Sequence, residues 1–386
     1  MSARRRGRWS RAILWGFALW AASRILIGTV ALLTQYSLAG HGTIGSKAGW
    51  PFRLLFHWDS NYLRGIALHG YFSERSADTW VAFFPGYPLV SRGVAQLVDP
   101  TGPSSQAVTF AMWLVVTIAS LIATILLFRV AEQRLSPRGA VGATALFILG
   151  PYALFLAASY SEALFLAFAV GAWLCGSRDR WLAAGLLAAA ASATRPNGIF
   201  LACAIVVMYL VRRREAGKPI LSWNLVAAAL GFVGTIAYFV YLSLNTGSLL
   251  SWSQSQAAWH RSLQWPWETL YQTAGRVIYA SSLDRQIQFG LDIVFAVILV
   301  AGIVYFVRTK RWPEVTYLGL TAISLMTSYS YLSLARNTVT LFPLVLALAG
   351  ATDKPSRRVL FWIAFSLGVL LLVFNTRQFA LGYWAD

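Results

Sequence analysis

The sequence predicts an all-helical protein that crosses a membrane many times, and three observations lead to this fold class. Of the 386 residues, 58% are hydrophobic and only 12% are charged, whereas roughly 25% of the residues are charged in an ordinary soluble domain. Apolar stretches near the roughly 20 residues that a spanning helix needs recur along the chain. Lys and Arg gather in the short segments between alternate stretches. A soluble globular protein of this size is therefore excluded.

The candidate spanning helices are eleven apolar segments. The first begins near Ile13, after a run of arginines that imitates a secretory signal. We expect an uncleaved helix there, because the apolar stretch continues past Arg24 to Leu33. Several of the later segments are shorter than a bilayer core requires. The eleven segments are 12–33, 108–129, 140–158, 161–176, 181–194, 198–211, 224–244, 287–307, 314–332, 337–351 and 357–374.

Basic residues predict the orientation of the chain, since Lys and Arg favour cytoplasmic loops. With the N-terminus in the cytoplasm, most of the 32 basic residues fall in short inner segments at every second crossing. Topology then explains the net charge of +18, and we expect no nucleic-acid partner. The inner basic segments are Arg4–Arg11, Arg129–Arg138, Arg178–Arg180, Arg212–Lys218, Arg308–Arg311 and Lys354–Arg358.

Polar chemistry is expected on the outer side of a single integral membrane domain that covers 1–386. The two long loops, 34–107 and 245–286, fall on that side together with all four histidines. The inner loops are much shorter than a soluble nucleotide-binding domain, and the sequence has no Gly-rich phosphate loop. A nucleotide-sugar substrate on the inner side is therefore not expected.

Short interfacial helices are predicted within the first outer loop. Asp59 and Ser60 are suited to cap a helix over Asn61–His69. A second piece, Ala82–Pro88, is aromatic and rich in proline, and its apolar continuation Leu89–Val98 is too short to span a bilayer. Segments of this kind lie along a membrane surface.

The catalytic candidate is Asp59, which follows His57 and Trp58 just after the first predicted crossing. A carboxylate near low-dielectric lipid can accept a proton from a sugar or lipid hydroxyl within hydrogen-bonding reach. The alternative is that Asp59 only caps the helix that begins beside it.

The same segment carries a family resemblance. His57–Ser60, Ile66–Tyr71 and Ala82–Pro88 resemble the first luminal loop of the PIG-V family of mannosyltransferases. Further matches follow in the order of the family and cover most of the chain. They are Tyr160–Phe165, Ala191–Gly198, Gln256 near Trp259, Leu334–Asn337 and Leu341–Pro343.

The resemblance implies a GT-C-like fold and a mannosyltransferase activity. Family members are multispanning enzymes that take mannose from a polyprenyl-phosphate donor, with an acidic residue of the first outer loop as the catalytic base. That role falls on Asp59. A phosphate is already a good leaving group, and the sequence has no His/Cys cluster with metal-ligand spacing, so we expect no cofactor and no metal site.

Two departures from the family pattern concern the acceptor. The family often has Arg-Tyr where this chain has Arg336 followed by Asn337, and the Gln/Tyr-Trp element is reduced within Gln254–His260. The expected acceptor is therefore a glycolipid, a glycan or a protein rather than one defined molecule. Its richness in Ala, Arg and Trp makes the chain resemble a bacterial protein, which places it in the plasma membrane.

Arg195 is the candidate for binding the donor phosphate. The flanking segments 181–194 and 198–211 reach only about 21 Å as helices, against a core of roughly 30 Å. The tip between them is therefore expected just below the outer surface, where a guanidinium can bind a lipid phosphate with two hydrogen bonds. The alternative is snorkelling or packing at the loop tip. Arg336 is a second candidate for the same phosphate.

Other candidate substrate contacts lie beside these motifs. The tryptophans among them also fit the aromatic belt of a membrane interface, and Ser159–Glu162 has the spacing of a capping box that opens a helix. Arg24 lies in the middle of a predicted helix, where a charge needs a partner; Asp292 is expected to be that partner or to be solvated. The candidate contacts are His57, Trp58, Glu162, Gln256, Trp259 and His260.

Two other function classes compete with a glycosyltransferase. A transporter or lipid flippase is also multispanning, but it is expected to show inverted repeats, interrupted helices and ionisable residues near the middle of the membrane. The sequence shows no repeat, and its carboxylates gather at the outer side. A non-catalytic subunit that keeps the fold and needs a partner is the third hypothesis.

Overall fold

The computed structural model describes residues 3–39, 53–257 and 262–384, and these ranges contain helices and turns without a β-strand. In chain order the α-helices are α1 Ala3–Ala39, α2 Asp59–His69, α3 Gly86–Val98, α4 Ser105–Ala131, α5 Pro137–Leu149, α6 Glu162–Gly176, α7 Trp181–Ser192, α8 Gly198–Glu215, α9 Trp223–Ala229, α10 Val233–Thr246, α11 Ser251–Ala257, α12 Pro266–Tyr279, α13 Leu283–Arg308, α14 Trp312–Met326, α15 Leu334–Asn337, α16 Phe342–Ala349 and α17 Pro355–Ala380.

Within the described residues, five helical stretches are long and apolar enough to cross a membrane. They lie in α1, α4, the joined α9 and α10, α13 and α17. A sixth is added if the bent pair Leu334–Thr340 and Phe342–Asp353 forms one span. The chain is therefore an all-helical integral membrane protein, as predicted. The count of eleven crossings stays a prediction, because α5, α6 and α7 are short apolar helices.

Three predicted segments are not continuous helices. The segment 314–332 ends as α14 at Met326, and turns follow up to Ser333. The segment 140–158 ends as α5 at Leu149, and a short 3₁₀ helix follows at Ala153–Leu156. Pro151 explains the break, because a proline disfavours helical geometry at the preceding residue and has no N–H to donate. The segment 337–351 is broken near Leu341, where the two halves meet at 80°. Pro343 follows this break directly.

The chain divides into two compact units. The first comprises 1–68, 87–170 and 345–385, and the second comprises 69–86 and 171–344 together with the last residue. In the first unit α1 packs along α4 and α17, and α5 packs against α1, α4 and α17.

Close approach in the first unit depends on small residues, as is typical of helices in membranes. A Cβ at Gly16 of α1 would lie 2.8 Å from the side chain of Ile125.

Two polar side chains of α1 are held by hydrogen bonds. Trp20 Nε1 donates to Ser120 Oγ at 2.9 Å. Arg24 Nη1 donates to the Leu156 carbonyl at 2.7 Å, so a backbone oxygen stabilises this mid-helix guanidinium.

The second unit is built around the α7–α8 hairpin. α7 packs against α8 and α9, α8 packs against α14, and α13 packs against α12 and α14. Glycine is required at the α7–α9 contact, since a Cβ at Gly185 would lie 1.8 Å from the Ala227 carbonyl oxygen. The hairpin presents the turn that contains Arg195.

The short helices predicted in the first long loop are present. α2 covers the predicted helix and begins at Asp59 itself, and α3 covers the continuation after the aromatic motif. Their place along a membrane surface stays a prediction.

Candidate active site

Tyr160 holds the backbone on both sides of Trp58. Its hydroxyl accepts a hydrogen bond from the Asp59 N–H at 3.3 Å and donates one to the His57 carbonyl at 3.2 Å. The tyrosine is only 1% exposed, and its ring stacks on Phe155 with centroids 5.3 Å apart. A single buried phenol therefore fixes the chain direction at the start of α2.

Trp58 adopts a left-handed backbone conformation, with φ of 50°. This region is uncommon for a bulky residue, and such strain is maintained only when the surroundings over-determine it. Here the indole N–H donates to the Tyr383 carbonyl at 3.3 Å, and the ring meets Trp384 edge to face at 5.1 Å. The side chain is nevertheless 41% exposed, so one face is available to a ligand.

Asp59 is the first residue of α2 and is half-buried. A carboxylate in the first helical turn is favoured by the helix dipole. The Ser60 N–H donates to the His57 carbonyl at 3.1 Å and the Asn61 N–H to the Trp58 carbonyl at 2.9 Å, so the turn passes directly into the helix. The helix therefore begins at Asp59 and not at Asn61 after a cap, and the role of Asp59 as a proton acceptor stays a prediction.

His57 lies beside Asp59 in a partly apolar setting. Its ring meets Phe379 edge to face at 5.4 Å. Burial lowers the pKa of the imidazole below its usual value of 6.5, so the ring is neutral at neutral pH. Nε2 is buried and has no hydrogen-bond partner within the described residues. Because Nε2 is enclosed by the protein, a contact between His57 and a substrate stays a prediction.

Glu162 forms a buried polar cluster with Tyr87 in the first unit. Glu162 is 0% exposed and is the first residue of α6. Burial raises the pKa of the Tyr87 phenol well above its usual value, and the negative charge of Glu162 acts in the same direction. The protonated phenol donates to the Met112 carbonyl at 3.0 Å. A capping box over Ser159–Glu162 would make Tyr160 the first residue of α6. The helix begins two residues later, at Glu162, so the predicted capping box does not match the observed start.

Arg195 lies in the turn between α7 and α8 and is half-buried. Its Nη2 donates to Asn337 Oδ1 at 3.2 Å. Gly198 makes the turn tight, since a Cβ there would lie 2.2 Å from the Ser192 Cα. The Gly198 N–H donates to the Arg195 carbonyl at 3.0 Å. Only glycine fits at position 198, and the tight turn that it allows positions Arg195.

Arg336 and Asn337 belong to the short helix α15 in the same unit as Arg195. Asp292 accepts from the Ala335 N–H at 2.8 Å, and Asn337 Nδ2 donates to the Ser333 carbonyl at 2.7 Å. Asp292 is 1% exposed, so the alternative that its carboxylate is solvated is wrong. The bond between Arg195 and Asn337 brings the two arginine motifs together.

The aromatic motif Ala82–Pro88 packs on the Arg195 turn. The Gly86 N–H donates to the Ala193 carbonyl at 2.7 Å. A Cβ at Gly86 would lie 2.7 Å from Thr194 Oγ1 and 2.8 Å from the Ala193 oxygen. Tyr238 of α10 holds the same motif, because its hydroxyl lies within hydrogen-bonding distance of the Phe83 carbonyl, at 3.1 Å.

Of the remaining candidates, Gln256 is half-buried on α11, which packs against Asp78–Ala82. Trp259 and His260 lie outside the described residues. Within the described ranges, His, Cys, Asp and Glu side chains do not form a group of three that could hold a metal ion.

The predicted residues divide between the two units. His57, Trp58, Asp59 and Glu162 belong to the first, whereas Arg195, Gln256 and Arg336 belong to the second. Sequence reasoning did not assign roles to Tyr160, Gly86 and Tyr238. Tyr160 and Gly86 are within the quoted motifs. The available signals were the position of Tyr160 two residues before Glu162 and the position of Gly86 between two prolines.

A solved structure supports the class of fold. The apo crystal structure of the Archaeoglobus fulgidus oligosaccharyltransferase matches with a TM-score of 0.51 and 12% identity, over 96% of this chain and 56% of that chain. The likeness is one of fold alone, and the chain shares the helical fold of this structure.

The family follows from a sequence match. The model of the mannosyltransferase (PIG-V) family matches residues 10–215, and the chain belongs to this family. The predicted family is therefore confirmed.

Relatives that match the chain include a mouse and a fly protein. GPI alpha-1,6-mannosyltransferase 2 of Mus musculus is 37% identical over 149 residues, which are 38% of this chain and 29% of the mouse protein. GPI mannosyltransferase 2 of Drosophila melanogaster is 26% identical over 254 residues, covering 57% of this chain and 55% of the fly protein. The matched part of the chain thus spans about half or less of the length of these relatives.

Proposed function

We propose that the chain transfers a hexose, mannose, from a polyprenyl-phosphate donor to an acceptor hydroxyl, with Asp59 as the general base. The family and the names of its relatives support the sugar and the reaction class. The observation that carries the role of Asp59 is its position, since Tyr160 fixes the backbone of a half-buried carboxylate directly after a strained Trp58.

In this mechanism Asp59 accepts the proton of the acceptor hydroxyl as its oxygen attacks C1 of the sugar. A new glycosidic bond forms, the bond between C1 and the phosphate oxygen breaks, and the polyprenyl phosphate leaves with the electron pair. Arg195 and Arg336 stabilise the negative charge of the departing phosphate. Charge-assisted hydrogen bonds to phosphate are stronger than neutral ones.

The neighbours of Asp59 provide sugar contacts. The exposed part of Trp58 stacks on the apolar face of the hexose, and His57 is proposed as a further sugar contact. Glu162, Gln256, Trp259 and His260 are proposed as further substrate contacts.

The donor is proposed to be lipid-linked because the inner loops lack room for a nucleotide-binding domain. The active site then lies on the extracytoplasmic face of a bacterial plasma membrane, with the N-terminus in the cytoplasm. A glycolipid, a glycan or a protein supplies the acceptor hydroxyl.

One described feature favours the transporter hypothesis. The break at Leu341, where the halves meet at 80°, resembles the interrupted helices of transporters. The second candidate function is therefore movement of a lipid-linked sugar without transfer, and it predicts that Asp59 has no role as a base.

Asp59→Asn tests the proposal in an assay of labelled polyprenyl-phosphate-mannose with a heat-treated membrane extract as acceptor. Asparagine keeps the shape and can start a helix but cannot take the proton, so turnover should fall by roughly 10² to 10⁴. Asp78→Asn, an exposed aspartate of the same predicted loop, is the matched control and should keep full turnover. Full turnover in Asp59→Asn at equal protein level excludes Asp59 as the base.

A further inference from the structure

A cavity of about 370 Å³ lies within the first unit, where basic ends of α1, α4, α5 and α17 meet. Arg11, Arg138 and Arg358 line it, together with a single acidic residue, Glu132. Its volume is within the range of about 300 to 1,000 Å³ that small-molecule sites occupy. None of the residues proposed for mannosyl transfer lines this cavity.

The cavity has an excess of positive charge. Glu132 already has two cationic partners, because Arg11 Nη2 lies 3.3 Å from Oε1 and Arg129 contacts the other carboxylate oxygen. Arg358 Nε donates to the Thr352 carbonyl at 3.2 Å, and Arg138 is exposed. Two guanidinium groups at the cavity therefore retain donors for an anion.

One helix N-terminus adds to the positive potential. α5 begins at Pro137 and α17 begins at Pro355, so both helices start at this end of the unit. Asp353 already compensates the start of α5, because its carboxylate accepts from the Ser136 N–H at 3.2 Å and from the Ser136 hydroxyl, whereas the start of α17 has no side-chain cap among the described residues. The N-terminus of a helix carries a partial positive charge that disfavours a nearby arginine and favours an anion. Arg138 lies in the first turn of α5, and Arg358 lies at the start of α17.

The rest of the lining is aromatic and apolar. Trp15 and Trp362 line the cavity and are 44% and 43% exposed, and Phe128 and Val141 complete its apolar wall. Indole rings are typical of the level of lipid headgroups. An apolar wall next to arginines matches a phospholipid, which has a phosphate joined to hydrocarbon, better than a free phosphate ion.

We propose that this cavity binds the headgroup phosphate of an anionic phospholipid, independently of the transferase reaction. Basic pockets between membrane helices bind anionic lipid headgroups elsewhere. Arg138 and Arg358 bind the phosphate, and the acyl chains follow the apolar surface beside Trp15 and Trp362. A ligand that binds only the folded protein stabilises it, so the lipid holds the four helix ends together.

Lipid retention tests the proposal. Purified full-length protein in neutral detergent is equilibrated with equal amounts of phosphatidylglycerol and phosphatidylcholine, and retained lipid is counted by native mass spectrometry. The wild type should retain phosphatidylglycerol in preference. Arg138→Ala/Arg358→Ala should lower this preference by roughly tenfold or more, because two charge-assisted contacts are lost. Arg308→Ala, an exposed arginine at the end of α13 outside the cavity, should not change it.

Val141→Trp is an independent variant that fills the cavity and keeps every arginine. It should lose phosphatidylglycerol retention and the rise in thermal midpoint that this lipid gives to the wild type. Unchanged retention in Val141→Trp and in the double variant, or an equal loss in Arg308→Ala, overturns the proposal. Displacement of phosphatidylglycerol by excess inorganic phosphate identifies a free-anion site and overturns the lipid assignment.

Discussion

Tyr160 combines two hydrogen bonds that one hydroxyl can make at once, one as acceptor and one as donor. The partners are the Asp59 N–H and the His57 carbonyl, which lie on either side of Trp58. Because the phenol is buried, water cannot replace either bond at low cost. Tyr160 is therefore a positioning residue for the strained turn and the carboxylate after it.

Tyr160→Phe should lower kcat by about tenfold and leave the KM for the donor nearly unchanged, because the carboxylate loses its orientation while the donor contacts remain. The free energy of unfolding should fall by about 1 to 3 kcal/mol, since two backbone groups lose their partner. Tyr36→Phe, an exposed tyrosine of α1, is the control. If stability falls but kcat does not, Tyr160 supports the fold alone.

At the scale of elements, the contact between the aromatic motif and the Arg195 turn needs glycine at Gly86. The Gly86 amide reaches the Ala193 carbonyl at 2.7 Å only because no Cβ separates the two segments. The same turn positions Arg195 against Asn337. Two motifs far apart in sequence thus form one structural element.

Gly86→Ala should displace the Arg195 turn, because the new methyl group would overlap Thr194 and the Ala193 carbonyl. We expect a loss of about 1 to 3 kcal/mol in unfolding free energy and a clear loss of turnover. Gly93→Ala on α3 is a matched control, because a Cβ there meets nothing within 4 Å. It should be neutral or stabilising by up to about 1 kcal/mol. Equal behaviour of the two variants would contradict the proposed close contact.

The existence of these elements could be predicted because it depends on local sequence. Apolar runs marked the helices, and Asp59 with Ser60 marked the start of α2. The role of Tyr160 could not be predicted, since its partners are backbone atoms about a hundred positions away. The break after Leu149 was also missed, because hydropathy continues across Gly150 and Pro151 while the backbone does not.

At the scale of the whole molecule, contacts within each unit join basic segments that the charge pattern assigns to one side. Arg11, Arg138 and Arg358 line one cavity, although they belong to three different predicted inner segments. In the second unit Arg212 Nη2 lies 2.6 Å from Asp179 Oδ2, which joins two further inner segments. These contacts agree with the predicted alternation, and the orientation itself stays a prediction.

Cysteine labelling in intact cells measures that orientation. After Cys175 and Cys203 are replaced by alanine, an impermeant thiol reagent should label Ser253→Cys and not Ala216→Cys. Both positions are exposed, and both should react after the membrane is permeabilised. Labelling of Ala216→Cys without labelling of Ser253→Cys would reverse the orientation and place the active site inside.

The central claim is that mannose reaches Asp59 from a lipid phosphate, and one measurement tests it most directly. Purified protein in vesicles is given either labelled polyprenyl-phosphate-mannose or labelled GDP-mannose, with a heat-treated membrane extract as acceptor and no polyprenyl-phosphate-mannose synthase. We expect transfer from the lipid-linked sugar alone, because the inner loops lack a nucleotide-binding domain. Transfer from GDP-mannose with no lipid-linked sugar present would contradict the account.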